Sequence, residues 1–295
     1  MIILICINIK GQAMDNLLQI KRTELNIGLK REYKFFQISD AHMACLDKNS
    51  SLIDKNDNKR FHLQWDTLKA EFAKEAGEIC DERYDVEPNV LFELLAKHAL
   101  SFGADALILS GDVFDRVSES NIRYMKSFLS TYPIPVIYCL GNHESMNEAG
   151  EHINQYNRLT EICKKPDADS MDFGEFEIVT IDNGAKNISD SQISYLESKL
   201  KADKRILLVV HAPLNLGEFG NRMTKEKSPY FLLGVKGDSE NCFKLNQLVA
   251  DNSDKLIAVL AGHVHCFFED SIKGFLNQYT TSSALIGAGR EIVIK

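Results

Sequence analysis

The sequence predicts a single α/β domain whose sheet strands are buried on both faces. Three observations predict it. Short apolar runs recur along the chain, amphipathic helical patterns separate them, and no repeat, low-complexity tract or linker divides the 295 residues. Strands that read as unbroken apolar runs, rather than as alternation, are those covered on both sides. With 44% hydrophobic and 26% charged residues, the chain has material for one large core or two small ones.

The first element is "MIILICINIKGQA", an apolar stretch of about eight residues, too short to span a bilayer and without the basic flank of a secretory signal. Two readings lead, an edge strand or an upstream start read in error, since Met14 opens the more ordinary "MDNLLQIKRTEL"; an export signal is the lesser alternative. Residues 1–33 are therefore set apart as an N-terminal segment, and residues 34–295 form the main domain. Within that domain the strands are "KFFQIS" (34–39), "ALILS" (106–110), "PVIYCL" (135–140), "FEIVTI" (176–181), "RILLVV" (205–210) and "KLIAVL" (255–260). Between them, the spacing predicts helices over 61–78, 89–102, 119–131, 190–202 and 241–250. In the third of these, Ile122, Met125, Phe128 and Leu129 recur at three and four.

Composition removes some classes of function. A net charge of -8 supplies no basic field for phosphate backbones, so nucleic acid is a poor first partner, although charge alone leaves it open. The seven cysteines (6, 45, 80, 139, 163, 242 and 266) are odd in number and contain no CxxC pair. That suits separate reduced thiols and a cytoplasmic location better than a disulfide framework or a cysteine zinc site.

Chemistry sits directly behind the strands. After 34–39 comes Asp40-Ala41-His42; after 106–110, "GDVFD"; after 135–140, "GNHE"; after 205–210, His211; and after 255–260, "AGHVHC". In open α/β sheets the carboxyl ends of the strands meet at one crevice, so these distant residues can converge. Two imidazoles at i and i+2 leaving a strand lie on the same side and can face one object. Of eight histidines, five (42, 143, 211, 263, 265) fall at these ends, while His62, His98 and His152 fall in helical patterns that suit surface or packing roles. Asp, Asn and neutral imidazole without thiolate suit Mn, Fe or Zn in an open site rather than a closed structural zinc. A carboxylate such as Asp112 can bridge two cations about 3.5–4 Å apart, which would clamp a phosphate and generate hydroxide at neutral pH. Glycines 111, 141 and 262 let the backbone approach such a centre.

These residues resemble the calcineurin-like metallophosphoesterase superfamily, whose pattern D-x-H, G-D-x-x-D, G-N-H-[DE], H and G-H-x-H is matched in order from about residue 34 to the C-terminus. The resemblance implies a four-layer α/β/β/α sandwich with two central mixed sheets, and hydrolysis of a phosphomonoester or phosphodiester by a metal-bound hydroxide. It implies two divalent or trivalent metal ions: one held by Asp40, His42, Asp112 and His265, the other by Asp112, Asn142, His211 and His263. His143 would be the general acid at the leaving oxygen, with Asp115 accepting its other N–H. Arg116, in "GDVFDR", resembles the phosphate-contacting arginine of the serine/threonine phosphatase branch. That branch carries a glycine where this chain has Met43 and lacks the paired G-H-x-H, so protein phosphatase activity is not what the likeness implies.

Two segments wall the crevice, 43–60 and 212–237, both polar and long as binding loops tend to be. In the second, Arg222, Lys225, Lys227 and Tyr230 are candidates to grip a phosphate or stack a base, against the plainer reading of solvated loop residues. The leading expectation is a small phosphoester as partner, with no transmembrane segment. A nuclease or a hydrolase of lipid-linked phosphates is the alternative enzyme, and a noncatalytic scaffold of the same fold is the alternative of another class.

Overall fold

The computed structural model describes residues 17–76, 86–147 and 149–295. Its strands, in chain order, are β1 (Gln19–Leu25), β2 (Tyr33–Ile38), β3 (Ala106–Ser110), β4 (Val136–Cys139), β5 (Ala168–Asp172), β6 (Phe176–Ile181), β7 (Arg205–Val209), β8 (Leu256–Ala261), β9 (Phe268–Lys273), β10 (Leu276–Thr280) and β11 (Ala288–Ile294). They make a five-stranded sheet in the order β1-β11-β2-β3-β4 and a six-stranded sheet in the order β5-β6-β7-β8-β10-β9. Within the first, β2, β3 and β4 run parallel; within the second, β6, β7 and β8 do. Antiparallel pairs of β11 with β2, β5 with β6 and β9 with β10 make both sheets mixed.

The apolar runs are continuous because successive side chains enter different layers. Phe35, Ile108, Ile137, Ile178, Leu207, Val209 and Leu260 fill the space between the sheets. Their neighbours Phe36, Ile38, Leu107 and Leu109 face outward beneath α2 (Pro88–Phe102) and α3 (Glu119–Thr131). On the other side Val179, Ile181, Leu208 and Val259 pack under α4 (Asp190–Leu200), α5 (Gly217–Glu226) and α6 (Glu240–Asp251). The layers thus run α/β/β/α, each sheet covered on both faces. Helix signals are local: Pro88 opens α2, Ser118 caps α3, and Ser189 with Gln192 forms a capping box on α4.

Two buried polar side chains lock the sheets together near the strand ends. Gln37 of β2 donates to Ser110 Oγ at 2.8 Å and to the Ala261 carbonyl of the other sheet at 3.0 Å. Thr281 Oγ1 donates back to Gln37 at 2.7 Å. Arg290 of β11, fully buried, donates across to the Thr280 carbonyl at 2.7 Å and to Thr281. Sliding either sheet would leave these groups unpaired in an apolar interior, at about 1–3 kcal/mol apiece.

Several elements differ from the sequence reading. The helix expected over 61–78 starts earlier, as α1 (Leu52–Ala76), and residues 77 and 78 lie outside the described residues. A reciprocal box starts it: Ser51 N donates to Asp54 at 2.8 Å and Asp54 N to Ser51 Oγ at 3.1 Å. Half of the 43–60 wall is therefore helix, and part of 212–237 is α5. Strands β5 ("ADSMD") and β9 ("FEDSIK") are sheet edges with part-exposed side chains, so they carry no apolar run to read. The opening apolar stretch lies outside the described residues, and β1 pairs parallel with β11 at the edge of the first sheet.

Candidate metal centre

The parallel strands β2, β3, β7 and β8 all run out at one end of the sandwich, and there the chain reverses within one or two residues. The reversals are strained. Five of the six non-glycine residues with positive φ among the described residues are Asp40 (φ 54), His42 (φ 45), Asp112 (φ 51), His263 (φ 68) and His265 (φ 50). Each left-handed residue of this kind costs about 1–2 kcal/mol, so their concentration here marks a site whose geometry the surroundings enforce. It also corrects the i, i+2 argument. His263 and His265 do not leave a strand in extended register; they lie past the end of β8, turned by their own backbones. The close approach needs glycine as well: a Cβ on Gly141 would stand 2.2 Å from Asp112 Oδ1, and one on Gly262 1.8 Å from Ser39 Oγ.

The turned residues fall into two groups of donor atoms. In the first, His265 Nε2 lies 3.2 Å from His42 Nε2 and 3.2 Å from Asp40 Oδ1. In the second, His211 Nε2 lies 3.1 Å from His263 Nδ1, 3.1 Å from Asn142 Oδ1 and 3.2 Å from Asp112 Oδ2. Each group draws on both sheets. Two donors at right angles around one cation, each at ~2.1 Å, are ~3.0 Å apart, so these edges fit a shared metal ion. His211 Nδ1 faces the Ser110 carbonyl at 2.9 Å, which places its proton there and leaves the Nε2 lone pair for the group.

Electrostatics agree with a cation-seeking site. Burial, and then the His143 charge, push His42 down to about 4; burial and His211 push His263 down to about 3, so both imidazoles are neutral donors. Burial alone would also depress His211, but the negative charges of Asp112 and Asp40, with no cation beside them, raise it to about 10. The two carboxylates demand positive charge. Asp40 is fixed by the main-chain N–H of His263, 3.0 Å from Oδ2, which couples the first strand end to the last.

Residues 33–267 match the family model for calcineurin-like phosphoesterases. The chain belongs to that family. Among solved structures, a dimetal phosphatase from Danio rerio aligns with a TM-score of 0.54 and 11% identity, covering 88% of this chain and 91% of its own. A 5′-nucleotidase from Candida albicans gives 0.45 and 13%, covering 86% of this chain and 46% of that one. A putative 5′-nucleotidase from Staphylococcus aureus gives 0.39 and 12%, covering 89% and 51%, so this chain spans about half of either nucleotidase. No curated protein sequence matches. The fold likeness is taken from the first of these structures.

Beside the two donor groups, His143 stands at the open edge, its ring 4.5 Å from that of His42 and its main-chain N–H donating to Asp112 Oδ1 at 2.8 Å. Burial opposes its protonation, but Asp112 and Asp115 outweigh burial and raise its pKa. The partner of Nδ1 differs from the expectation. The Asp115 main-chain carbonyl accepts at 2.8 Å, while the nearer carboxylate oxygen is 3.8 Å away. That carboxylate is drawn off by Arg60 of α1, whose guanidinium also binds Asp57 Oδ1 at 3.0 Å. A third donor group, His42, Asp115 and His143, also closes within 4.8 Å. The Arg60 charge already on Asp115 argues against a further cation there. Arg116 is 3.3 Å from the same Asp57 oxygen, so two guanidinium groups share one buried carboxylate beside the cleft.

Sequence reasoning missed Arg60 and Asp57 and left Glu144 without a role. Glu144, buried, accepts main-chain N–H bonds from Asp112 (2.8 Å), Val113 (2.8 Å), Phe114 (3.1 Å) and Gly141 (2.7 Å), and one from Tyr138 Oη (2.9 Å). It holds two strand-end turns against each other and stabilises the strained backbone of Asp112. Of the wall candidates, Arg222 is engaged by Asp270 and lies over the Phe268 ring at 4.7 Å, away from phosphate duty. His98 pairs with Glu291 at 2.9 Å; His152 sits on a loop, not a helix, 2.8 Å from Ser145 Oγ. Among the described residues, no helix is long and apolar enough to cross a membrane.

Proposed function

We propose that this protein is a dinuclear metal-dependent phosphoric ester hydrolase acting on a small phosphomonoester or phosphodiester. The observation that carries the reading is the pair of donor groups at the strand ends, each built from both sheets on strained residues, with one histidine left open beside them. Asp40, His42 and His265 would hold one cation and Asn142, His211 and His263 the other, with the Asp112 carboxylate between them. Two such cations supply Lewis-acid polarisation of the phosphoryl group and an activated water.

The protein's own groups do the rest. His143 keeps a proton on Nδ1 for the Asp115 carbonyl in either charge state, so the proton it can give away is the one on Nε2. That Nε2 proton is the one the imidazole would deliver to the leaving oxygen. Arg116 and Arg60 stand at the cleft as guanidinium donors for non-bridging phosphate oxygens, with Asp57 fixing their separation. The net charge of -8 favours a small substrate over nucleic acid. The free thiols of Cys45, Cys139, Cys163 and Cys242 support a reducing, cytoplasmic setting. The test is a screen of metal-free protein reloaded with Mn, Fe, Zn or Mg against phosphomonoesters, linear diesters, cyclic nucleotides and short nucleic acids. Turnover that needs added metal is expected; two bound metals with no turnover of any phosphoester would favour the scaffold reading instead.

A further inference from the structure

The segment after α5 carries two exposed aromatic rings beside the metal centre. Phe231 lies with its ring 5.6 Å from that of His263, and the adjoining Tyr230 lies 6.1 Å from Phe231. They keep 36% and 76% of their surface exposed. Rings left in water usually sit on pliable chain, and this segment is pinned. Lys186 Nζ donates to the carbonyls of Tyr230 (2.5 Å) and Leu232 (2.8 Å) and lies 5.1 Å from the centre of the Tyr230 ring. Ser228 Oγ accepts from Tyr230 N at 3.2 Å, Leu233 N donates to the Pro213 carbonyl at 2.8 Å, and Asn215 N to the Leu233 carbonyl at 2.9 Å. Lys186 itself has a left-handed backbone (φ 52), the one such non-glycine residue outside the metal groups among the described residues. A rigid, solvent-exposed aromatic pair touching a candidate metal ligand is costly to leave bare and well prepared to receive a flat apolar surface.

We propose that Phe231, supported by Tyr230, is a specificity-determining platform that stacks a planar ring carried by the substrate, so that the preferred phosphoester bears a nucleobase or another aromatic group. This rests on the reading of the centre as a phosphate site, since the phosphate must anchor at the metals for the ring to reach the rim. It separates substrates that the metals treat alike, because a stacked face recognises ring planarity and ignores the phosphate.

The test compares ligands that differ by the ring alone. Binding of adenosine 5′-monophosphate against ribose 5-phosphate, and of phenyl phosphate against methyl phosphate, is measured calorimetrically on Mn-loaded protein, with turnover recorded in parallel. The ring-bearing member of each pair is expected to bind about 10- to 100-fold tighter, ~1.4–2.7 kcal/mol. In Phe231→Ala that preference should fall to about 3-fold or less, while Phe231→Leu, which keeps apolar volume without a flat face, should lose most of it. Metal content of each variant is measured, so that loss of the centre is not mistaken for loss of the platform. A wild-type preference near one, or variants that weaken both members of a pair equally, would overturn the proposal. A clear ring preference in a protein that turns over no phosphoester would leave the platform standing and overturn the hydrolase reading.

Discussion

Glu144→Gln tests how the scaffold holds the centre, through a residue that faces neither metal nor substrate. In the wild type, Oε2 accepts from Asp112 N and Gly141 N, and Oε1 accepts from Val113 N, Phe114 N and Tyr138 Oη. An amide has one oxygen, so its NH2 must face one of these sets, leaving at least two buried donors without an acceptor. At about 1–3 kcal/mol for each stranded donor, the variant should lose ~3–5 kcal/mol of stability. For a chain of this size that is a drop in Tm of roughly 6–20 °C. Because either orientation frees a main-chain N–H at or next to left-handed Asp112, metal affinity should fall as well, by about 10- to 100-fold. Thermal unfolding of metal-free protein and calorimetric metal titration read the two effects separately. Unchanged Tm and unchanged metal affinity would refute the reasoning.

Other outcomes follow from the same geometry. His143→Ala should keep both cations and slow turnover by about 10²- to 10⁴-fold, more for an alkyl ester than for a nitrophenyl ester, in a rate series across leaving groups; proportional loss of metal would reassign the residue to structure. Asp115→Asn should cost less than about 10-fold in kcat, because the carbonyl that orients His143 belongs to the main chain and survives the change. Arg60→Ala leaves the buried Asp57 with Arg116 alone and frees Asp115, so it should lower stability by ~1–3 kcal/mol and raise KM while leaving metal content intact, as urea unfolding, initial rates and metal analysis would show. Burial pushes Asp182 up to about 7, against ~3.9 in the unfolded chain. The folded state then holds a proton that the unfolded state has lost, so this group makes stability fall as pH rises from about 4 to 7, by up to ~1.4 kcal/mol per unit, and no further above that. Asp182→Asn should remove that component, gaining more at pH 8 than at pH 5 in urea unfolding.

Much of the architecture was legible because buried parallel strands have a distinctive sequence: β3 as "ALILS" and β8 as "LIAVLA" cannot be solvated edges, and both lie where expected. Edge strands such as β9 were not, because one row of their side chains faces water and reads as loop. Chain order also placed the donors at the correct ends, since Asp40, Asp112, Asn142, His211 and the His263–His265 pair each follow a strand. What the sequence withheld was contact between distant segments. Arg60 reaches Asp115 across 55 positions, and nothing in "DKNDNKR" separates that arginine from a solvated one. The family resemblance implied the carboxylate of Asp115 as the partner of His143; a competing guanidinium, invisible in one dimension, leaves the main-chain carbonyl in that place. Glu144 stood in a recognised motif, yet five donors converging on one carboxylate is a property of two folded turns.

Anomalous scattering from crystals of the Mn-loaded protein tests the central claim most directly. The account predicts two peaks about 3.5–4 Å apart, one among Asp40, His42 and His265, the other among Asn142, His211 and His263, with the Asp112 carboxylate touching both. A single peak, or two peaks with Asp112 bound to one of them alone, would contradict it.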